Sequence, residues 1–288
     1  MRGDPVQHFR DIDVEAIEVL LCDADGNLFP SEEPAFDASV GVTNRFLQRY
    51  GLPGDLRAED LLEQTTGKNF RTTAVDLAVA GGVPVEAELA VGRDGALVAS
   101  QSHLDAGAAV TVGDLEEWVR EERAIVTAHL GVTLTPDRNV LEPLRFLSAR
   151  YSLAAVSSSA SARLDACFVA TGLDDLMPAP VRFSAEDSLP VPTSKPDPAV
   201  YLFAGEVLDV RGPQGLAIED SVPGTVSAVA AGFPTVGNVM FAPAPARARR
   251  CLELQEAGAS AIITSWAELA DYLTGSAPSV SLVEAKSQ

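Results

Sequence analysis

A chain of 288 residues with 47% hydrophobic and 22% charged side chains can bury one large core, or one core plus a smaller satellite domain, which excludes disorder throughout. Its 21 basic and 41 acidic residues leave a formal charge of −20, a field that repels nucleic acid and anionic membrane, so neither is expected as a partner. Any phosphate bound here needs local help from a metal ion, a helix N-terminus or a lysine.

In chain order, the first residues mix Arg2, Asp4, Arg10, Asp11 and Asp13 ahead of any apolar run, which is wrong for a secretory signal. Short apolar runs then recur at Val19 to Cys22, Leu153 to Val156, Leu216 to Ile218, Thr235 to Val239 and Ala261 to Ile263, the pattern of strands covered on both faces. Amphipathic stretches alternate with them at Val140 to Arg150, Ser161 to Thr171, Ala199 to Val207 and Val222 to Ala231. This alternation predicts an α/β fold with a doubly wound, Rossmann-like parallel sheet, whose reacting groups gather beyond the carboxyl ends of the strands.

Between the first two runs the patterns are mainly helical, at Val42 to Tyr50, Phe70 to Val79 and Leu115 to Leu130, and predict a helical domain inserted after the first strand. The expected division is a discontinuous core of residues 1–35 and 136–288 and an inserted domain of residues 36–135. The segment Val85 to Ala109 has poor periodicity, and residues 275–288 read as a frayed tail. The uncharged stretch from Ser221 to Ala246 is broken by Pro223, Gly224, Gly232, Pro234 and Gly237, so it does not read as a membrane span. Cys22, Cys167 and Cys251 have no CxxC spacing, which suggests neither a disulfide framework nor a thiolate zinc site; a soluble cytoplasmic protein is expected.

Four stretches carry candidate chemistry. The first run ends in Asp23-Ala24-Asp25-Gly26, two carboxylates at a strand end that read either as reacting groups or as an ordinary acidic turn. Ser157 and Ser158 follow the second run, where serines commonly cap helices. Lys195 lies in Thr193-Ser194-Lys195-Pro196-Asp197-Pro198, a proline-fixed loop in which Asp197 can cap the next helix; its ammonium is either positioned or simply solvated. Glu219 and Asp220 end the run from Leu216, as a hard oxygen site suited to magnesium or as a helix N-cap with Ser221.

Taken in order, Asp23 with Asp25, Ser157, Lys195, and Glu219 with Asp220 resemble the four-motif pattern of the haloacid dehalogenase superfamily. The runs SKPDPAVY and IEDSVPGTVSAVAAG are most similar to its β-phosphoglucomutase and phosphoglycolate phosphatase branch, which carries a helical cap domain. Two departures stand out: Asn27 occupies a position where the family usually has Thr, and the long interval from Asp23 to Ser157 implies a cap enlarged through Val85 to Ala109.

The resemblance and the chemistry together imply a magnesium-dependent phosphatase for a small phosphate ester, such as a sugar phosphate. Asp23 would attack phosphorus and form an aspartyl-phosphate, with Asp25 as general acid and base. Ser157, Ser158 and Lys195 would bind the phosphoryl oxygens, and Asp23, the Asp25 carbonyl, Glu219 and Asp220 would hold Mg2+. Gly67, Lys68, Asn69 and Arg71 stand where relatives place substrate contacts; they read equally as a solvated helix start. A phosphosugar mutase is the enzyme alternative, although Glu33 to Phe36 lacks the histidine that mutases of this branch carry there. A non-catalytic protein that accepts phosphate for signalling is the other.

Overall fold

The computed structural model describes residues 7–65 and 69–275. The chain divides into two compact units, residues 1–30 with 134–288 and residues 31–133. The expected boundary at Phe36 falls inside a helix, because α1 already starts at Glu32 and runs to Arg49. The apolar period there begins only at Ala38, and Pro34 gives no sign of a break in the first turn, where its missing N–H has no helical acceptor to lose.

The larger unit is built on one seven-stranded sheet. In chain order its strands are β1 (Gln7–His8), β2 (Val19–Cys22), β3 (Ser152–Ser157), β4 (Arg182–Ser184), β5 (Gly215–Glu219), β6 (Thr235–Asn238) and β7 (Ala261–Ile263). Their spatial order is β1-β7-β6-β5-β2-β3-β4, parallel throughout except for β1 against β7. Every residue of β2, β5, β6 and β7 is buried, which is why these segments carry no polar-out alternation, and β2 and β7 read as unbroken apolar runs. β4 escapes sequence reading because it has three residues and opens with a charged Arg182; it is fixed by backbone pairing to β3.

The smaller unit holds α1, α2 (Ala58–Thr65), α3 (Phe70–Ala80), α4 (Ala87–Ala90), α5 (Gln101–Asp105) and α6 (Val112–Thr133). Phe46, Ala74, Val75, Ala78, Val85, Val110 and Leu115 form its core, with the Trp118 ring set edge-on to Phe46 at 5.9 Å. The aperiodic stretch Val85 to Ala109 is ordered by backbone bonds: the Val85 N–H donates to Leu97 O and its carbonyl accepts from Ala99 N–H, both at 2.8 Å. Glu86 then caps α6 by accepting from Val112 N–H at 2.7 Å. One-turn helices such as α4 and α5 are too short to show a 3.6-residue period, so no sequence pattern announces them.

The remaining helices, α7 (Arg138–Leu147), α8 (Ser161–Thr171), α9 (Ala199–Leu208), α10 (Val222–Ala230), α11 (Ala244–Ala257) and α12 (Trp266–Thr274), belong to the sheet unit. α11 is polar along most of its length and buries only Leu254, which explains why periodicity misses it. Among the described residues, no helix is long and apolar enough to cross a membrane.

Candidate active site

Strand register assembles the site. Cys22 pairs level with Ala155 of β3 and Ile218 of β5, so one step further along the parallel ladders brings Asp23 beside Val156 and Glu219. The Asp23 N–H donates to Ile218 O at 2.9 Å, which fixes the first residue beyond the strand. Gly26 then turns the chain at φ +78°, and a side chain there would collide with the Asp220 carboxylate. The turn therefore needs glycine twice over, for its backbone angle and for the approach of Asp220.

Lys195 is the hub. Its buried Nζ donates to Asp23 Oδ1, to Glu219 Oε1 at 2.6 Å and to Val156 O at 2.7 Å. The ring of Tyr201 on α9 lies 5.2 Å from the same ammonium, and the Tyr201 hydroxyl donates to Glu219 Oε1 at 2.6 Å. Burial alone would discharge Lys195, but Asp23 and Glu219 outweigh it and hold the ammonium well above its ordinary range. Burial likewise pushes the Asp23 carboxyl up, against the pull of Lys195 and with added push from Glu219 and Asp25.

The residues singled out in the sequence separate by task. Ser157 is 1% exposed and its Oγ accepts from Ser159 N–H at 3.0 Å; it does not cap α8, whose Ser161 N–H is met by Asp187 Oδ2 at 2.6 Å. Ser158 Oγ accepts from the Lys195 N–H at 3.1 Å and so ties the lysine loop to the end of β3. Asp197 Oδ1 accepts from Ala199 N–H at 2.8 Å, and the helix begins one residue beyond Pro198. At α10 the N-cap is Ser221, whose Oγ accepts from Gly224 N–H at 3.2 Å, so capping does not account for Glu219 and Asp220. In the smaller unit, Asn69 caps α3 by accepting from Thr72 N–H at 2.9 Å, and Arg71 forms a two-pronged ion pair with Glu116 at 2.5 and 2.7 Å. Both thus serve that unit's own structure, while Gly67 and Lys68 lie outside the described residues.

Asp23, Glu219 and Asp220 each offer a carboxylate oxygen, and these oxygens lie within 4.8 Å of one another. Glu219 is fully buried, and among the described residues its Oε2 has no hydrogen-bond partner although Oε1 has two. A buried carboxylate oxygen without a donor, in a group of hard oxygen ligands, fits a magnesium ion.

Sequence reading missed the groups that hold the motifs in place. Tyr201 could have been found, since a buried tyrosine one turn into a helix needs a partner for its hydroxyl. Asn27 is more instructive. Its Nδ2 donates to Asp23 O at 2.8 Å and Ile218 O at 3.1 Å, its Oδ1 accepts from Asn238 Nδ2 at 2.8 Å, and its carbonyl accepts from Trp266 Nε1 at 3.1 Å. The departure from threonine thus supplies a longer amide that ties β2 to β5 and reaches Asn238. Asn27→Ala takes the amide partner from the Asp23 carbonyl and from Asn238 Nδ2, while Ile218 O keeps the Asp23 N–H and the Trp266 bond to the residue-27 carbonyl is untouched, and it is expected to cost about 3 kcal/mol of stability; urea unfolding that moves by less than about 0.5 kcal/mol would show the network to be dispensable.

No family model matches the chain, and no curated protein sequence does. Solved structures do. A conserved haloacid dehalogenase-like protein of unknown function from Agrobacterium tumefaciens is 23% identical, with a TM-score of 0.58 over 90% of this chain and 98% of that one. A HAD family hydrolase from Deinococcus radiodurans with bound phosphate and sodium is 25% identical, with a TM-score of 0.54 over 91% of this chain and 96% of its own. CbbY from Rhodobacter sphaeroides, in complex with phosphate, is 19% identical with a TM-score of 0.57, covering 88% and 96%. The chain has the haloacid dehalogenase fold: a parallel Rossmann-like sheet with a mainly helical unit inserted after its first motif-bearing strand.

Proposed function

We propose that the protein is a magnesium-dependent phosphatase that hydrolyses a small phosphate monoester through a phosphoryl group carried on Asp23. The observation that carries this reading is the convergence of Asp23 and Glu219 on the Lys195 ammonium at the end of the central strand, with Asp220 close by. Phosphate bound in the Deinococcus and Rhodobacter structures of the same fold supports the choice of ligand.

In this reading Asp23 attacks phosphorus in line, the ester P–O bond breaks, and Asp25 gives its proton to the leaving alkoxide. Asp25 then takes a proton from the water that attacks the phosphoryl-aspartate, which returns Asp23 and releases inorganic phosphate. Lys195 places positive charge on the transferring oxygens, Ser157 lies beside them, and Glu219 and Tyr201 hold the lysine. Asp23, the Asp25 carbonyl and Asp220 would hold the metal with Glu219 alongside; when bound, it offsets the repulsion between carboxylate and phosphate. Phosphate release from a panel of sugar phosphates, phosphoglycolate and nucleotides in the presence of magnesium tests the assignment, and release from none of them rejects it.

A mutase requires a second substrate hydroxyl held in line with the phosphoryl group. Glu33 to Phe36 lie at the start of α1 and contain no histidine. His103 has its Nδ1 engaged by the Ser100 N–H at 3.3 Å in the cap of α5, and His129 pairs with Thr133 Oγ1 at 3.3 Å. Water is therefore the expected acceptor. Offered β-glucose 1-phosphate with a bisphosphate primer, the protein is expected to form negligible glucose 6-phosphate; efficient isomerisation would reverse the choice.

A further inference from the structure

Asp25 differs from the other motif carboxylates in what holds it. Ser159 Oγ donates to its Oδ2 at 2.6 Å, and Arg163 Nη2 donates to its Oδ1 at 3.0 Å. A carboxylate held at one oxygen can still turn about its terminal bond; one held at both cannot turn without breaking a bond. The two donors come from one short segment, the turn after β3 and the first turn of α8, and that segment is itself fixed. Ser159 donates its N–H to Ser157 Oγ at 3.0 Å and its carbonyl accepts from Ser184 Oγ at 2.8 Å. The start of α8 is pinned by Asp187 on the Ser161 N–H at 2.6 Å. The Arg163–Asp25 ion pair is only 26% and 23% exposed, so it is not a solvent-screened surface contact.

We propose that Ser159 and Arg163 are positioning residues that aim the Asp25 carboxyl at the leaving-group oxygen, each bond using one lone pair of its oxygen and leaving another to carry the transferred proton. This rests on the phosphatase reading above. Neither residue touches the reacting atoms in this role: each acts by fixing the orientation of Asp25. Arg163 suits the task because the N–H bonds of its planar guanidinium point in fixed directions, whereas a lysine ammonium rotates freely. The consequence is specific to chemistry that needs a proton. A phenolate with strong electron withdrawal leaves unprotonated, whereas an alkoxide must be protonated as the P–O bond breaks. A misaimed acid therefore penalises alkyl esters more than activated aryl esters.

The experiment uses the full chain with magnesium, comparing wild type, Arg163→Met, Arg163→Lys and Ser159→Ala on para-nitrophenyl phosphate and on an alkyl phosphate that the wild type turns over. The kcat lost on the alkyl ester is expected to exceed that lost on the aryl ester by about tenfold or more in Arg163→Met, since an ångström of misplacement can cost on the order of a hundredfold. Ser159→Ala, a smaller change less able to disturb folding, is expected to shift the same ratio in the same direction, and Arg163→Lys to restore part of it. Equal losses on both esters in both variants, or an effect confined to KM as a substrate-binding arginine would give, overturn the proposal. A wild type that releases phosphate from neither ester overturns it together with the phosphatase reading, and is recognised by the absence of any parent activity.

Discussion

Asp23→Asn is expected to lower phosphate release by roughly four orders of magnitude or more while leaving the protein folded. The substitution is isosteric and removes only the charge and nucleophilicity of one carboxylate. Lys195 keeps Glu219 Oε1 and Val156 O as acceptors, so its ammonium is not stranded, and the loss of stability should stay at about 2 kcal/mol rather than the larger cost of an unpaired buried charge. The backbone bond from residue 23 to Ile218 O is untouched by a side-chain change. Two measurements separate the roles. Denaturant unfolding reports the fold, and acid quenching during turnover of a labelled ester reports phosphoryl on protein, expected on the wild type and missing from the variant. Residual turnover above about one hundredth of the wild type would remove Asp23 as the nucleophile.

The same position shows how far the sequence could be read. β2 and β7 were legible residue for residue because strands buried on both faces are written as apolar runs, and the polar residue that ends each run marks its carboxyl end. Asp23, Ser157 and Glu219 could be listed from such ends, and Lys195 from its proline-fixed loop. What joins them could not, because it is made by pairs far apart in the chain: Asn27 with Asn238, Tyr201 with Glu219, and Asp25 with Arg163. No local period encodes such a pairing; it exists only once the strand order is set. α11 and β4 were illegible for a different reason, since one buries a single leucine and the other is three residues long. The tail expected beyond Gly275 lies outside the described residues.

Exhaustive chelation is expected to abolish activity and added magnesium to restore it, the second large effect and one with a readout besides turnover. Asp23, Glu219 and Asp220 bring three carboxylates together in a chain of formal charge −20, at a place where one lysine answers two of them. Mutual repulsion in a partly dry site makes a dication favourable there, and a ligand that binds only the folded state must raise its stability. At a hundred times the dissociation constant the gain is about 2.7 kcal/mol, readily seen as a rise in melting temperature on adding magnesium. Asp220 is the informative residue to change, because its carboxylate lies over Gly26 whereas Lys195 bonds Asp23 and Glu219. Asp220→Asn should leave those lysine bonds in place yet flatten the magnesium-dependent rise and require far more metal for turnover. Calcium should occupy the site and inhibit, since its larger, looser oxygen shell does not impose octahedral geometry on the ester. Undiminished turnover after complete chelation would rule out the metal, and an unchanged magnesium response in Asp220→Asn would place the ion elsewhere.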